Sequence, residues 1–233
     1  MLKFLGIGSA FNTKLGNTSA FIKEQGTLIL IDCGGSVFHQ MNEIEIWKDV
    51  KNFYIIITHT HPDHVGSLGD IIFYASIILK IKPIIFYPNK DLLQTYLSCI
   101  GVEQKHYIIE AEFNHLIEDP FLGLIDFEFI NVLHLNTVES YGFLMKIKDL
   151  TLYYSGDASE IPERIIDLLE NNQIDFIYQD TCGLDYVGNA HLSLNKLNQL
   201  IKKQFRNKIY CIHHDEYLDL NEVTRLGFNI PKL

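Results

Sequence analysis

Residues 58–64 read Thr-His-Thr-His-Pro-Asp-His, and this segment constrains the fold of the chain more than any other feature. It follows directly on the apolar run of residues 53–57, which is typical of a buried strand. Imidazole is the commonest protein ligand for a metal such as Zn²⁺, and a carboxylate is an acceptable partner. The sequence therefore predicts a metal site at the end of an inner strand.

The order of residues within the segment indicates two ions rather than one. His59 and His61 point the same way because side chains alternate along an extended chain. Pro62 then turns the chain, so Asp63 and His64 face a neighbouring position. The first pair would bind one ion and the second pair another. A solvated loop that is merely rich in histidine is the alternative, and ligands elsewhere in the chain decide between the two.

Composition predicts a single α/β domain over residues 1–233. Apolar residues make up 47% of the chain and charged residues 21%, which is enough for a sizeable core and not typical of disorder. No segment resembles a linker, a signal peptide or a membrane-spanning helix, so we expect no membrane association and a cytoplasmic location. The cysteines are widely spaced and form no Cys-x-x-Cys pair, which favours reduced thiols over a disulfide framework.

The net charge of −10 disfavours binding to long nucleic acids, which need a broad basic surface. A small anionic substrate stays compatible with this charge, because two divalent ions would offset several carboxylates locally. Simple solubility is the alternative explanation of the acidity.

Segments with strand and helix patterns alternate along the chain. Apolar or alternating runs predict strands at residues 2–6, 19–23, 27–32, 84–87, 127–134, 141–147, 152–155, 176–180 and 208–213, in addition to the strand that precedes the histidines. Helices are predicted after Gly35 and at residues 68–80, 90–100, 162–171 and 194–204. Gly101 would end the helix at 90–100, and Ser193 would cap the last one. Periodicity alone supports only a mixed α/β domain.

The pattern His-x-His-x-Asp-His after a strand resembles the signature of the metallo-β-lactamase fold hydrolases. That family places a further histidine, an aspartate and a last histidine at later strand ends, and His134, Asp157 and His213 match them in order. The resemblance runs from the first strand nearly to the last. It implies an αββα sandwich, in which two mixed β-sheets pack face to face with helices outside.

The resemblance also implies a dinuclear metal centre, with zinc expected and manganese as the alternative. It assigns His59, His61 and His134 to one ion, Asp63, His64 and His213 to the other, and Asp157 to a bridge between them. Two divalent ions can hold a hydroxide between them and clamp the atom under attack, and Asp63 would also orient that hydroxide. His213 is preferred over His214 because it directly ends an apolar run, but the sequence leaves both open.

Two further positions resemble the ribonuclease Z branch of this family. In that branch an acidic residue after a strand orients a later histidine beside the scissile phosphate, and Asp180 and His191 match these positions. His191 would contact the phosphate or donate a proton to the leaving oxygen, which is help that a phosphodiester needs. The alternative for His191 is a surface histidine beside the helix that Ser193 caps.

The chain departs from transfer-RNA-processing ribonuclease Z enzymes, because residues 66–127 contain no long Gly-rich and basic arm. Its compact length and the stretches 6–19 and 60–74 resemble the small phage-encoded anti-Pycsar phosphodiesterases, which are homodimers that destroy cyclic CMP and cyclic UMP signals. The resemblance therefore implies that a homodimer hydrolyses cyclic nucleoside 3′,5′-monophosphates to linear nucleotides. A transfer-RNA 3′ endonuclease, an ester hydrolase and a non-catalytic metal-binding protein are the alternatives, and the base preference stays open.

Overall fold

The computed structural model describes residues 2–233, and its strands form two mixed sheets of six strands each. The strands of the first sheet are β1 Lys3–Gly6, β2 Ser19–Glu24, β3 Thr27–Ile31, β4 Asn52–Ile56, β5 Ile84–Phe86 and β6 Ile108–Glu110. The strands of the second sheet are β7 Asn114–Asp119, β8 Gly123–Asn131, β9 Tyr141–Ile147, β10 Leu150–Tyr154, β11 Phe176–Asp180 and β12 Ile209–Ile212. In both sheets the strands lie side by side in chain order.

Each sheet is antiparallel in one half and parallel in the other. In the first sheet β1, β2 and β3 are antiparallel neighbours, and β4, β5 and β6 continue parallel to β3. In the second sheet β7 to β10 are antiparallel neighbours, and β11 and β12 continue parallel to β10. Parallel neighbours end at the same edge of a sheet, and ligand sites in α/β proteins form outside such carboxyl ends.

In the part of the chain that the structure describes, six α-helices lie in the connections between strands, and a seventh follows the last strand. They are α1 Val37–Glu43, α2 Pro62–Val65, α3 Leu68–Phe73, α4 Lys90–Cys99, α5 Glu163–Glu170, α6 Leu194–Leu200 and α7 Leu220–Arg225. Ser193 caps α6 by accepting a hydrogen bond from the Lys196 N–H, and Gly101 follows α4 with a φ of +80°, as predicted. None of the helices within residues 2–233 has the length and apolar character that crossing a membrane would require.

The inner faces of the two sheets pack against each other. Ring centroids of Phe4 on β1 and Tyr178 on β11 lie 5.5 Å apart, and those of Phe86 on β5 and Phe127 on β8 lie 5.0 Å apart. On the outer face of the second sheet, α5 and α6 bury their apolar residues against β10, β11 and β12 in a separate cluster. The predicted sandwich of two mixed sheets with outer helices is confirmed.

The predicted strand over residues 127–134 is wrong at its end, because β8 stops at Asn131. The Val132 N–H still donates to the Ser140 carbonyl, and the chain then turns away from the ladder. His134 therefore lies in a loop rather than at the last position of a strand.

Two predicted helices are also corrected. The helix predicted over residues 194–204 ends at Leu200, because Ile201 is extended with φ −96° and ψ 118°. The helix predicted over residues 68–80 is α3 followed by the π-helical segment Tyr74–Ile78. The sequence pattern missed β6, β7, α2 and α7, and α2 stands where only a turn at Pro62 was expected. β6 has only three residues, and β7 is an edge strand that leaves every second residue exposed.

Gly34 lies where the turn after β3 meets the chain around α2. A Cβ atom at this position would overlap the backbone carbonyl of Asp63, which cannot move without shifting the histidine-rich segment. At the next residue, Gly35, a Cβ would meet nothing closer than the Asn17 Oδ1 at 3.8 Å. The two neighbouring glycines therefore differ sharply in the space around them.

We expect Gly34→Ala to lower the free energy of unfolding by about 1–3 kcal/mol, which is typical of overpacking. Gly35→Ala should change it by about 0.5 kcal/mol or less. Urea denaturation of both variants and the natural protein measures the difference. Equal losses in the two variants would contradict the close approach at Gly34.

Candidate metal centre

The histidine-rich segment is anchored by the buried carboxylate of Asp32, which follows β3. The Thr58 N–H and hydroxyl donate to its two oxygens, both at 2.8 Å. His64 Nδ1 lies 2.9 Å from the same carboxylate. β3 and β4 are parallel neighbours, so their ends bring Asp32 and Thr58 together. This anchoring aims the other nitrogen of His64 away from the sheet and into the site.

A first cluster of ligand atoms comes from His59, His61, His134 and Asp157. His61 Nδ1 lies 3.0 Å from His59 Nε2 and 3.4 Å from His134 Nε2. Asp157 Oδ2 is 3.7 Å from His59 Nε2 and 3.9 Å from His134 Nε2. Four ligands at about 2.0–2.1 Å around a tetrahedral zinc ion would lie about 3.3 Å apart, so these separations suit one ion.

A second cluster adjoins the first and comes from Asp63, His64, Asp157 and His213. Asp157 Oδ1 lies 3.2 Å from His64 Nε2 and 3.4 Å from His213 Nε2. Asp63 Oδ2 is 3.4 Å and 3.2 Å from the same two nitrogens. One oxygen of Asp157 therefore faces each cluster.

The buried polar atoms of the two clusters fit a cation. His64 Nε2 and Asp157 Oδ1 are buried and make no hydrogen bond of proper geometry, although they lie only 3.2 Å apart. Burying polar atoms without a partner is costly, and a cation at the point they face would satisfy both. Imidazole nitrogens and carboxylate oxygens are ligands that zinc accepts. The clusters are therefore compatible with a metal site.

The remaining nitrogens of His134 and His213 face groups outside the clusters. His134 Nδ1 lies 3.1 Å from the Ala190 carbonyl oxygen, within hydrogen-bond distance. His213 Nδ1 lies 3.5 Å from Asp180 Oδ1, an ion-pair contact in which neither atom makes a hydrogen bond of proper geometry. Metal-binding histidines usually have a second partner that fixes the tautomer and the orientation of the ring, and the Ala190 carbonyl takes this position for His134.

The structure shows which of the neighbouring residues His213 and His214 faces the second cluster. His213 follows β12 with a φ of +59°, and this left-handed turn directs its ring into the second cluster. The ring of His214 points elsewhere, with Nε2 2.8 Å from the Cys211 carbonyl oxygen. Only the first of the two histidines faces Asp63 and Asp157.

Asp180 and His191 form a hydrogen-bonded pair beside the second cluster. Asp180 Oδ2 lies 2.6 Å from His191 Nδ1 and also accepts a hydrogen bond from the Ala158 N–H at 2.9 Å. The rings of His191 and His213 are stacked, with centroids 5.0 Å apart. Burial of His191 opposes its charged form, but the carboxylate of Asp180 outweighs burial and raises the pKa of His191. His191 is therefore part of the site rather than a free surface histidine.

The clusters lie at the bottom of a cavity of about 910 Å³. Ser9, on the loop that follows β1, lines this cavity. Phe11, Tyr186 and Tyr217 also line the cavity, and the sequence did not reveal them. Single aromatic residues on irregular loops have no periodicity that would distinguish them from other surface residues.

Comparison with known families and curated proteins gives a consistent result. A family model described as "Anti-Pycsar protein Apyc1" matches residues 1–229. The Anti-Pycsar protein Apyc1 of Paenibacillus harenae is 24% identical over 227 residues, covering 94% of this chain and 91% of that protein. The Anti-Pycsar protein Apyc1 of Bacillus phage vB_BveM-Goe7 is 26% identical over 249 residues, covering 97% of this chain and 94% of that protein.

Solved structures agree on the fold. The metallo-β-lactamase fold protein YhfI from Bacillus subtilis superimposes with a TM-score of 0.76 at 15% identity, over 97% of this chain and 90% of that one. This likeness shows that the chain has the metallo-β-lactamase fold. With its buried His and Asp clusters, the chain is consistent with a metallohydrolase.

We expect purified His213→Gln protein to hold less zinc or manganese than His214→Gln protein, because only His213 faces the second cluster. Both residues are buried beside β12, so the second variant controls for general damage at this position. Elemental analysis after dialysis, with and without a chelator, measures the metal content per chain. Equal metal loss in the two variants would contradict the assignment.

Proposed function

The chain belongs to the Anti-Pycsar protein Apyc1 family, and from that membership we propose that it hydrolyses cyclic nucleoside 3′,5′-monophosphates such as cyclic CMP and cyclic UMP to linear nucleotides. In this role it would remove a cyclic-nucleotide immune signal. The observation that carries the proposal is the shared cavity. The two ligand clusters joined by Asp157 and the Asp180–His191 pair open into the same space.

The proposed centre holds two divalent ions, zinc by preference and manganese as the alternative. The first ion would be held by His59, His61 and His134, the second by Asp63, His64 and His213, and both by Asp157. When bound, such ions supply a water molecule acidic enough to lose a proton near neutral pH and polarise the phosphoryl oxygens. The fit of the donor atoms to this chemistry supports the assignment.

Asp63 is proposed to orient the attacking water molecule. It lies in the second cluster through Oδ2, it is in the first turn of the short helix α2, and it also lines the cavity. A carboxylate has lone pairs to spare after one contact, so Asp63 can accept a hydrogen bond from the water as well. The carboxylate thus fixes the direction from which phosphorus is approached.

His191 is proposed to donate a proton to the ribose oxygen that leaves phosphorus. Its Nδ1 is occupied by Asp180, which leaves Nε2 as the nitrogen available to a substrate in the cavity. Asp180 positions the ring and favours its protonated form. When a phosphorus–oxygen bond breaks, the departing alkoxide is strongly basic, so a positioned acid lowers the barrier.

The charge distribution favours a small substrate over RNA. Among residues 2–233, those that line the cavity include Asp215 and Glu216 but no lysine or arginine. The net charge of −10 also disfavours the broad basic surface that successive phosphates of a long nucleic acid require. A single phosphodiester needs only the positive charge that the two proposed ions would supply in the ligand clusters. A transfer-RNA endonuclease is therefore the less favoured function.

Turnover of a substrate panel tests the proposal. We expect metal-loaded protein to hydrolyse cyclic CMP and cyclic UMP and to leave a precursor transfer RNA intact. His61→Ala should reduce kcat/KM by more than about 100-fold. Losing only an outer partner of a metal ligand can cost about 100-fold, and His61 is itself a proposed ligand. Chromatography separates the products. Cleavage of the transfer RNA would indicate a processing nuclease instead, and no turnover of any substrate would indicate a non-catalytic protein.

A second prediction concerns the proton donor. We expect His191→Ala to lower kcat for cyclic CMP by about 10²–10⁴-fold, which is the usual contribution of a general acid. The loss should be much smaller with a p-nitrophenyl phosphodiester, because p-nitrophenolate leaves without a proton. Asp180→Asn should show the same selectivity for the leaving group.

His39→Ala is the matched control, since this imidazole is 79% exposed and does not line the cavity. Metal content is measured for each variant, because Asp180 also lies near His213. Equal losses on both substrates at unchanged metal content would rule out a proton-donating role for His191.

A further inference from the structure

Exposed aromatic rings are concentrated at the mouth of the cavity. Phe11 is 90% exposed, Tyr217 68% and Tyr186 56%, and all three line the cavity that contains the ligand clusters. Most aromatic side chains of residues 2–233 lie in the two cores or pack against them. Rings left in water around a small-molecule site provide a flat apolar surface for part of a ligand.

The backbone beside Phe11 is fixed to the strand end that carries His213. The Asn12 side-chain amide donates to the carbonyl oxygens of His214 and Asp215, at 3.1 Å and 3.3 Å. The Ser9 N–H donates to the His214 carbonyl at 3.0 Å. The loop that presents Phe11 is therefore held against the second ligand cluster, although the ring itself is free.

The backbone beside Tyr217 is fixed to the same point. The Tyr217 N–H and the Gly183 N–H both donate to Asp215 Oδ1, at 3.2 Å and 2.9 Å. Asp215 thus joins the Phe11 loop through its carbonyl and the Tyr217 loop through its carboxylate. The backbone segments that carry the two rings are therefore tied to the same residue, on the His213 side of the cavity.

The chemistry of this part of the rim suits an uncharged flat group and not a second phosphate. Asp215 and Glu216 directly precede Tyr217 in the chain and also line the cavity, and within the described part of the chain no lysine or arginine does so. An anion would be repelled there. A nucleobase is flat, carries no charge near neutral pH and extends away from the phosphate through the ribose.

We infer that Phe11 and Tyr217 form an aromatic platform on which the nucleobase of the substrate stacks, so that they are specificity-determining residues rather than catalytic ones. The inference rests on the proposed function, because it takes the phosphodiester to lie over the ligand clusters. Stacking of a base on one aromatic ring contributes roughly five- to a hundredfold in affinity. The platform therefore supplies binding that a phosphodiester without a base cannot use.

The test compares cyclic CMP with 1-O-methylribose 3′,5′-cyclic phosphate, which has the same phosphodiester and no base. We expect Phe11→Ala and Tyr217→Ala each to raise KM for cyclic CMP about tenfold and to leave kcat within about twofold. Neither variant should change kcat/KM for the base-free substrate. Phe11→Tyr and Tyr217→Phe, which keep the ring, should behave like the natural protein.

Leu116→Ala is the matched control, because this side chain is 69% exposed on the edge strand β7 and does not line the cavity. The substituted side chains are exposed, so the variants should fold normally. Sedimentation of each variant shows whether the rings instead cover an interface between two copies of the chain.

The possible results distinguish the platform from the proposed function. Turnover of cyclic CMP by the natural protein with an unchanged KM in both alanine variants would overturn the platform alone. Equal losses on the two substrates, or dissociation of an oligomer in the alanine variants, would also overturn it. No turnover of any cyclic nucleotide by the natural protein would overturn the proposed function and the platform together.

Discussion

The arrangement of the site depends on the contacts of one buried carboxylate, that of Asp157. It is only 2% exposed, and its two oxygens face two different groups of imidazoles. Burial favours its neutral form, but His213, His64 and His59 hold the pKa of this carboxyl well below its usual range. A buried carboxylate needs such partners, and the imidazoles in turn crowd one another. Cations within the clusters would relieve both conditions at once.

Both sheets contribute residues to the site around Asp157. The parallel half of the first sheet ends at Asp32 and the histidine-rich segment, and the parallel half of the second ends near Asp157, Asp180 and His213. Two of these strand ends leave the ladder in the left-handed region, with φ values of +58° at Asp32 and +59° at His213. Such conformations cost about 1–3 kcal/mol in a residue other than glycine. The strain occurs where the chain must redirect a side chain into the site.

Much of the fold and of the site follows from the sequence for a physical reason. Strand periodicity and the metal chemistry of histidine are both local signals, so β9, β11 and the histidine-rich segment could be predicted from the letters alone. The position of His134 in a loop could not, because the end of β8 depends on its pairing with β9. Phe11 and Tyr217 could not be identified either, since tertiary hydrogen bonds bring their loops to the cavity. The homodimer, the single domain and the cytoplasmic location stay predictions.

The parts of the site that would perform chemistry and the parts that would recognise a substrate lie on different kinds of structure. The ligand clusters and Asp180 lie at or next to strand ends, where the ladders and buried hydrogen bonds fix their positions. Phe11 and Tyr217 lie on loops that are tied down at the backbone while their rings stay in water. We therefore expect a change of the Phe11 or Tyr217 ring to leave the geometry of the floor intact, because the hydrogen bonds that tie these loops down involve the backbone, Asn12 and Asp215 rather than the rings. This separation explains in physical terms why the fold and the ligand clusters are consistent with a metallohydrolase, while the substrate must be inferred from the rim.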